Sequence, residues 1–435
     1  MSRRAGASGV ECTVSEGDEF EVNVRLGEVE TLKESGSSGA GVRVLFGQNT
    51  GSSYTSDLTA EGLEEMVRRA VELARITTED PYAGLPDAAE LGFLERDLEL
   101  YSPDIEHLET PAKIALAQQA ERAALAMDPR INNSEGASFG STLSRHAFAN
   151  SLGFSGSYQS SSCSLSAVPV AKDGDRMERD YWFTLARSAG ELEDPEYVGR
   201  KAAERVLRRL GARKVETQKA PVIFEPRMAK SLLSHVFEAV NGDSIYRHAS
   251  FLEGKLGERV AAESVTIIDD ATLPRLFGSS PFDDEGVPSR RTVVVEKGIL
   301  RSYLLNSYTA RKLGMRTTGN ASRGITGNAS IGHGNLFLEN GPDSVADLFK
   351  RVGRGLFVTE LMGFGVNVVT GDYSRGASGL WIENGELAYP VSEVTIAGTL
   401  QQMLLGLEGI ANDLEFRGSV ASPTVLIGEM TISGR

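Results

Sequence analysis

Apolar and polar residues alternate at Phe20, Val22 and Val24 and again at Val42, Val44 and Phe46. This period of two predicts half-buried strands, with the Ser/Gly-rich stretch 35–41 as the turn between them. Beyond Thr59, which suits an N-cap, the period becomes helical: Leu63, Met66, Val67, Ala70, Val71 and Ala74 recur on one face to about Ile76. Pro81, Pro86 and an acidic, weakly periodic run then predict a linker ending near 105. A second unit opens at Thr110-Pro111, an N-cap followed by a proline at the first helical position, and leads an Ala-rich helix to about Met127. Polar strands follow over 146–171 and 181–185. Asp194-Pro195 repeats the capping device before a helix that Gly211 ends near 210.

From Pro221 an apolar strand at 222–224 precedes a helix over about 227–240, and most of the remainder reads as strands punctuated by turns. Lys297-Gly298 joins 292–296 to 299–305. Asn384-Gly385, set between Trp381-Ile382 and Leu387-Tyr389, predicts a two-residue type I′ hairpin. Short helices are expected at 343–351 and 399–408, and a last strand at 424–432. Runs of strands with helices set apart from them indicate an α+β fold and not βαβ alternation. The expected organisation is three consecutive α+β units, 1–104, 105–216 and 217–435, the C-terminal one rich in antiparallel strands.

Composition narrows the partners. The chain has 435 residues, 60 acidic against 45 basic, and a net charge of −15, which argues against a nucleic-acid surface because phosphate neutralisation needs clustered Lys and Arg. The basic run Arg200 to Arg213 lies on one predicted helix and reads as its solvated face. Cys12 and Cys163, the two cysteines, form no CxxC and no disulfide framework, so a reducing cytoplasmic setting is expected. Residues after Arg3-Arg4 are not an apolar signal core, and no apolar run reaches the ~18–20 residues of a membrane helix.

The densest stretch is Leu356 to Gly398, with glycines at 363, 365, 371, 376, 379 and 385 among polar and β-forming residues. Together with SSPFDDEGVPSRR (279–291), NSYTARKLGMRTTGNA (306–321) and SGSSGAGVRVLFGQNTGSSYTSDLT (35–59), it resembles the TldD/PmbA family, once called modulators of DNA gyrase, and within it the PmbA (TldE) branch. The resemblance runs from about residue 15 to the C-terminus. It implies a subunit of a cytosolic metal-dependent peptidase that acts on unfolded or short peptides, with a metal-bearing TldD-type subunit as partner and an extended peptide as substrate.

In the TldD branch of that family a zinc-binding HExxxH lies on the helix opening the third unit, and a later Cys adds a ligand. The corresponding helix here reads MAKSLLSHVFEAVNGD (228–243), with the single histidine His235. The five histidines, at 107, 146, 235, 248 and 333, include no two within five positions, and both cysteines precede the helix. A catalytic zinc needs about three protein ligands and an open position. Zinc is therefore expected in the partner and no cofactor in this chain, and no residue is assigned a catalytic role.

At 100° per residue Leu232, Leu233, Val236, Phe237 and Val240 form an apolar face, while Ser231, His235 and Glu238 fall on the opposite, polar face. The plain reading of that face is a solvated or subunit-facing surface. The functional readings of His235 and Glu238 are a peptide contact or, more weakly, a metal site. The segment GDYSRGASG (371–379) places Asp372, Tyr373, Ser374 and Arg375 between glycines. Arg375 either grips a carboxylate of peptide or partner, or pairs with Asp372 in a tight loop. Asp283, Asp284 and Glu285 read as a solvated acidic turn, with a hard-cation site as the alternative. No GxSxG elbow or phosphate loop occurs. Two rivals remain open: a self-sufficient homodimeric metallopeptidase built on His235 and Glu238, and a non-catalytic peptide-binding or regulatory protein.

Overall fold

This computed structural model describes residues 1–434. The N-terminal half is one antiparallel sheet of unusually long strands. Strands β1 (Gly9–Arg25), β2 (Glu28–Phe46) and β3 (Asn49–Thr55) are followed by helix α1 (Ala60–Ile76), then α2 (Asp104–His107) and α3 (Thr110–Leu125). Strands β4 (Ile131–Asn150), β5 (Ser155–Asp173), β6 (Arg176–Arg179) and β7 (Trp182–Ala186) and helix α4 (Pro195–Leu207) complete it. The order is β3-β2-β1-β4-β5-β6, with β7 also on β5. Pairing of β1 with β4, from Glu11 opposite Asn150 to Val24 opposite Ala137, joins the first two units into a continuous sheet.

Alternation does its expected work here: Phe20, Val22 and Val24 are buried against Ala117 and Ala120 of α3 and Val198 and Ala202 of α4. The α3 and α4 backbones approach so closely that a Cβ on Gly199 would lie 2.1 Å from the Ala120 carbonyl. On the neighbouring part of the sheet, Met66, Ala70 and Val71 of α1 cover Ala40, Val42 and Val44. The Thr59 hydroxyl accepts from the Gly62 amide, the N-cap that the sequence predicts.

The Ser/Gly stretch 35–41 is not a turn. It lies inside β2, in register with β1, and the chain reverses instead at Leu26 and Gly27, both with positive φ. Two amides of that reversal, Leu26 and Gly27, donate to the buried carboxylate of Glu121 on α3, a long-range anchor absent from any local pattern. The linker, too, is strapped down. Between residues 78 and 103 the Gly92 amide donates to the Gly286 carbonyl and Leu94 to Pro281, and the Arg311 guanidinium holds the carbonyls of Tyr82, Gly84 and Leu85.

The C-terminal half starts with β8 (Gln218–Phe224), α5 (Pro226–Val240) and α6 (Gly242–Tyr246). A meander follows: β9 (Ile267–Asp270), β10 (Arg291–Glu296), β11 (Ile299–Leu300), α7 (Ser307–Leu313), β12 (Ala321–Ser322), β13 (Ser330–Ile331) and β14 (Leu336–Leu338). It ends with α8 (Val345–Val352), β15 (Arg354–Met362), β16 (Asp372–Glu383), β17 (Glu386–Thr399), α9 (Leu400–Leu405), β18 (Leu407–Ile410), β19 (Val420–Ala421) and β20 (Val425–Ser433). Strands β17-β16-β15-β8-β20 close on themselves through a β17–β20 pairing, so this ring has no free edge there. The hairpin at Asn384-Gly385 has φ of 54° and 78°, the type I′ geometry. α5 packs across the ring, its Leu232, Leu233, Val236 and Val240 sharing a core with Trp381, Val358 and Ile396. A second sheet, β11-β10-β9-β14-β19, closes the other side of α5.

The basic run from Arg200 is not a solvated face. Arg205 is 4% exposed, and it lies 2.8 Å from Glu225 and 3.3 Å from Asp180. Arg208 also reaches Glu225, while Arg209 bridges Glu178 and Glu360. Glu225 is the residue immediately before α5, so the network ties α4 of the central unit to the start of the C-terminal helix. Arg200, paired with Glu196 one turn away, and Arg213, over the Tyr389 ring, are exposed members of the run.

Removing one partner of a buried pair strands the other charge. Glu225→Ala should lower stability by about 3–5 kcal/mol, whereas Arg200→Ala should cost below ~0.5 kcal/mol. Urea unfolding of both variants checks this, and comparable small losses would show that Glu225 is not the hub.

Candidate functional site

Proline at the first turn of α5 presets φ where no hydrogen bond is lost, and the apolar residues at i, i+1, i+4 and i+8 from Leu232 bind the helix to the ring. Its other side is not open to solvent as the periodicity suggests. Ser231 and His235 are half-buried, and only Glu238 is exposed, with its carboxylate 3.8 Å from His235 Nδ1. Phe237 is also half-buried, and its ring meets His333 edge-on at 4.8 Å.

GDYSRGASG is a strand and not a tight loop. In β16 successive residues alternate, so Tyr373 and Arg375 face α5 while Asp372 and Ser374 point outward, exposed. Asp372 accepts from the Thr370 hydroxyl at 2.6 Å. Among the described residues Arg375 has no acidic partner, which removes the Asp372–Arg375 pair as a structural explanation. Thus the structure brings His235, Tyr373 and Arg375 together and leaves Asp372 and Ser374 outside the cluster. The His235 and Tyr373 rings meet at 6.3 Å and 76°.

Electrostatics at this cluster are unusual. Burial pushes the Tyr373 phenol up to about 12, against the opposing charge of Arg375. Burial also lowers the His235 pKa; Glu238 opposes that shift and Arg375 reinforces it. A neutral imidazole and a neutral phenol therefore stand beside a fixed guanidinium.

This donor set does not fit zinc. α5 offers a single imidazole, the next carboxylate is on the solvent side, and a permanent cation stands beside the ring, repelling a second cation. Among the described residues no group of three or more His, Cys, Asp or Glu side chains is arranged to hold a metal ion.

The acidic segment 283–285 is corrected in the opposite sense: it is buried, not solvated. Asp283 accepts from the amides of Glu285, Val287 and Ala321, Asp284 from Arg323, and Glu285 from Ser307. With oxygens committed to backbone amides, these carboxylates serve as staples and not as a cation site. They adjoin Glu11 and Arg43 of the N-terminal sheet, where Arg323 pairs with Glu11. Beside them a cavity of about 420 Å³, lined by Arg43, Tyr246, Glu285, Asn306 and Tyr308 among others, sits between the two halves. Nothing in the sequence brings Arg43 and Glu285 together; the linker's strapping and the direct contacts of Arg323 with Glu11 and Thr13 do.

A His235 held neutral costs stability when acid protonates it. Its folded pKa lies below the unfolded value, so the stability it permits is complete above pH ~6.5 and is lost as pH falls below that. NMR of the imidazole nitrogens should find His235 titrating below the ordinary 6.5, and a ring that titrates at or above 6.5 would contradict the burial assigned to it.

Comparison with known proteins meets this geometry from another direction. Three family models cover the chain in order: PmbA/TldA metallopeptidase domain 1 over residues 10–74, the central domain over 103–210 and the C-terminal domain over 217–434. The chain is 41% identical over 429 residues to metalloprotease PmbA of Escherichia coli O157:H7, covering 99% of this chain and 93% of that protein. It is 40% identical to the Haemophilus influenzae metalloprotease PmbA homolog, over 100% and 94% of the two. Among solved structures, a Bacteroides thetaiotaomicron protein described as a candidate modulator of DNA gyrase matches with a TM-score of 0.92 at 28% identity, over 100% and 96% of the chains. TldE from Thermococcus kodakarensis shares the fold, with a TM-score of 0.90 at 22% identity over 99% and 98%. The chain belongs to the TldD/PmbA metallopeptidase family.

Proposed function

We propose that this chain is the subunit without catalytic metal in a TldD/TldE-type peptidase, acting in the cytoplasm on unfolded or short peptides together with a metal-bearing partner. The observation that carries this reading is the α5 site: one imidazole next to an arginine that meets no acid among the described residues, where hydrolysis would need a metal, three ligands and a base. The fold likeness to a protein named TldE agrees with it. In this reading the chain shapes the chamber and holds an extended peptide, and the partner's zinc activates the water. The rival self-sufficient enzyme built on His235 and Glu238 lacks a third ligand and faces the Arg375 charge; a purely peptide-binding protein would need no hydrolytic partner.

Two measurements test the proposal. The protein purified alone should carry no stoichiometric zinc and cleave no peptide, and addition of a TldD-type protein should produce hydrolysis; about one zinc per chain in the isolated protein, lost in His235→Ala, would establish the self-sufficient enzyme instead. Sedimentation should show a stable complex with that partner, burying on the order of 2,000 Å² or more as obligate interfaces do. A chain that stays monomeric in the partner's presence contradicts the subunit assignment.

A further inference from the structure

His235 Nδ1 and Nε2, Tyr373 Oη and Arg375 Nε are all buried and make no close hydrogen bond; Tyr373 has only its Arg375 neighbour and His235 Nδ1 only Glu238, at 3.8 Å. Three adjoining side chains that lean on one another in place of strong partners depart from the rule that buried polar groups are satisfied. What sets Arg375 apart is the missing acid: Arg205, Arg208, Arg209 and Arg417 all end on carboxylates, although the Nε atoms of Arg205 and Arg208 make no hydrogen bond either. Arg375 is half-buried with no acidic partner among the described residues.

The elements that hold the cluster are rigid. α5 is fixed at its start by Glu225 and along its length by the ring core, and β16 pairs with β17 at the cluster, Arg375 standing opposite Ile396, while its ladder to β15 begins at Gly376. Next to it the loop 363–371 folds back on β16, where the Ser374 amide donates to the Gly365 carbonyl at 2.7 Å. A Cβ on Gly365 would lie 2.0 Å from the Ser374 carbonyl, so only glycine lets the loop approach this closely.

A planar guanidinium without an acidic partner, an imidazole able to donate, and a phenol are three donors set around a single positive charge. A carboxylate is acceptor-only, carries the complementary charge and presents two oxygens in the geometry of the fork. We infer that His235, Tyr373 and Arg375 form a receptor for the free C-terminal carboxylate of a bound peptide. This deepens the proposed function, since it names what the non-metal subunit would recognise, but it concerns binding by this chain alone and not hydrolysis. Glu238, exposed at the margin 3.8 Å from His235, is a like charge that weakens the receptor.

The test is calorimetric titration of the isolated protein with acetyl-Ala-Ala-Phe as the free acid and as the C-terminal amide, with acetyl-Ala-Asp-Ala-amide as the side-chain carboxylate. The free acid should bind about tenfold or more tighter than the amide, in keeping with a charge-assisted bidentate bond. Arg375→Lys should abolish most of that preference despite keeping the charge, because an ammonium cannot reproduce the fork. Glu238→Gln should tighten binding of the free acid, and the His235 imidazole signals should shift only with the carboxylate ligands. Equal affinity of wild-type protein for acid and amide would overturn the inference without any variant. So would an undiminished preference in folded Arg375→Lys. Binding of the aspartyl amide alone would assign the site to an acidic side chain and reject the C-terminal reading. Zinc or hydrolysis in the isolated chain would defeat the proposed function but leave these binding contrasts standing.

Discussion

The buried ion-pair network around Glu225 is the constraint on which the arrangement of this protein turns. Arg205 and Arg208 of α4 converge on a carboxylate that is also the residue preceding α5, and Asp180 and Arg227 complete the group. Taking so many charges from water is costly, and replacing them by apolar side chains could leave a stable protein. What such a network gives is position: a hydrophobic contact between α4 and α5 could slide, whereas forked arginine–carboxylate bonds set one register. The helix that bears His235 is therefore placed by the central unit as much as by its own core.

A second junction works by the same means. Glu11, Arg43 and Arg323 are buried together, the carboxylates at 283–285 are spent on backbone amides, and the linker is pinned by Arg311. The two halves are thus held by polar, directional contacts and by one aromatic cluster, Phe148 and Phe154 against Phe282, while each half keeps its own larger apolar cores. Polar junctions of this kind suit a protein whose parts must keep one relative orientation to shape a shared surface.

Against that satisfied background the α5–β16 cluster stands out. Elsewhere buried arginines meet acids, as Arg205 does, or backbone carbonyls, as Arg187 does, but Arg375 meets a neutral phenol and a neutral imidazole. The family to which the chain belongs is metallopeptidase by name, and the Arg375 cation beside His235 is unfavourable to a metal ion at this cluster.

Much of the architecture was legible without coordinates. The changes of hydrophobic period located α1, α5 and the strands at 20–24 and 42–46, and Asn384-Gly385 specified its turn, because these depend on local sterics and on a residue's own side of an element. His235, Tyr373 and Arg375 were identifiable as polar residues in informative segments. What the sequence could not decide was which of them meet. The alternation along β16 separates Asp372 and Ser374 from Tyr373 and Arg375 only once the segment is known to be a strand, and its glycines suggested a loop. The run 35–41 misled for the same reason: Ser and Gly permit a turn, but the ladder to β1 extends through them, since pairing free energy is collected over many residues and not at one. Charge was least legible of all. Arg205 and Arg200 look alike in sequence, as do the acids at 283–285 and any exposed turn, and only the tertiary fold decides which charges lose their water and must find partners.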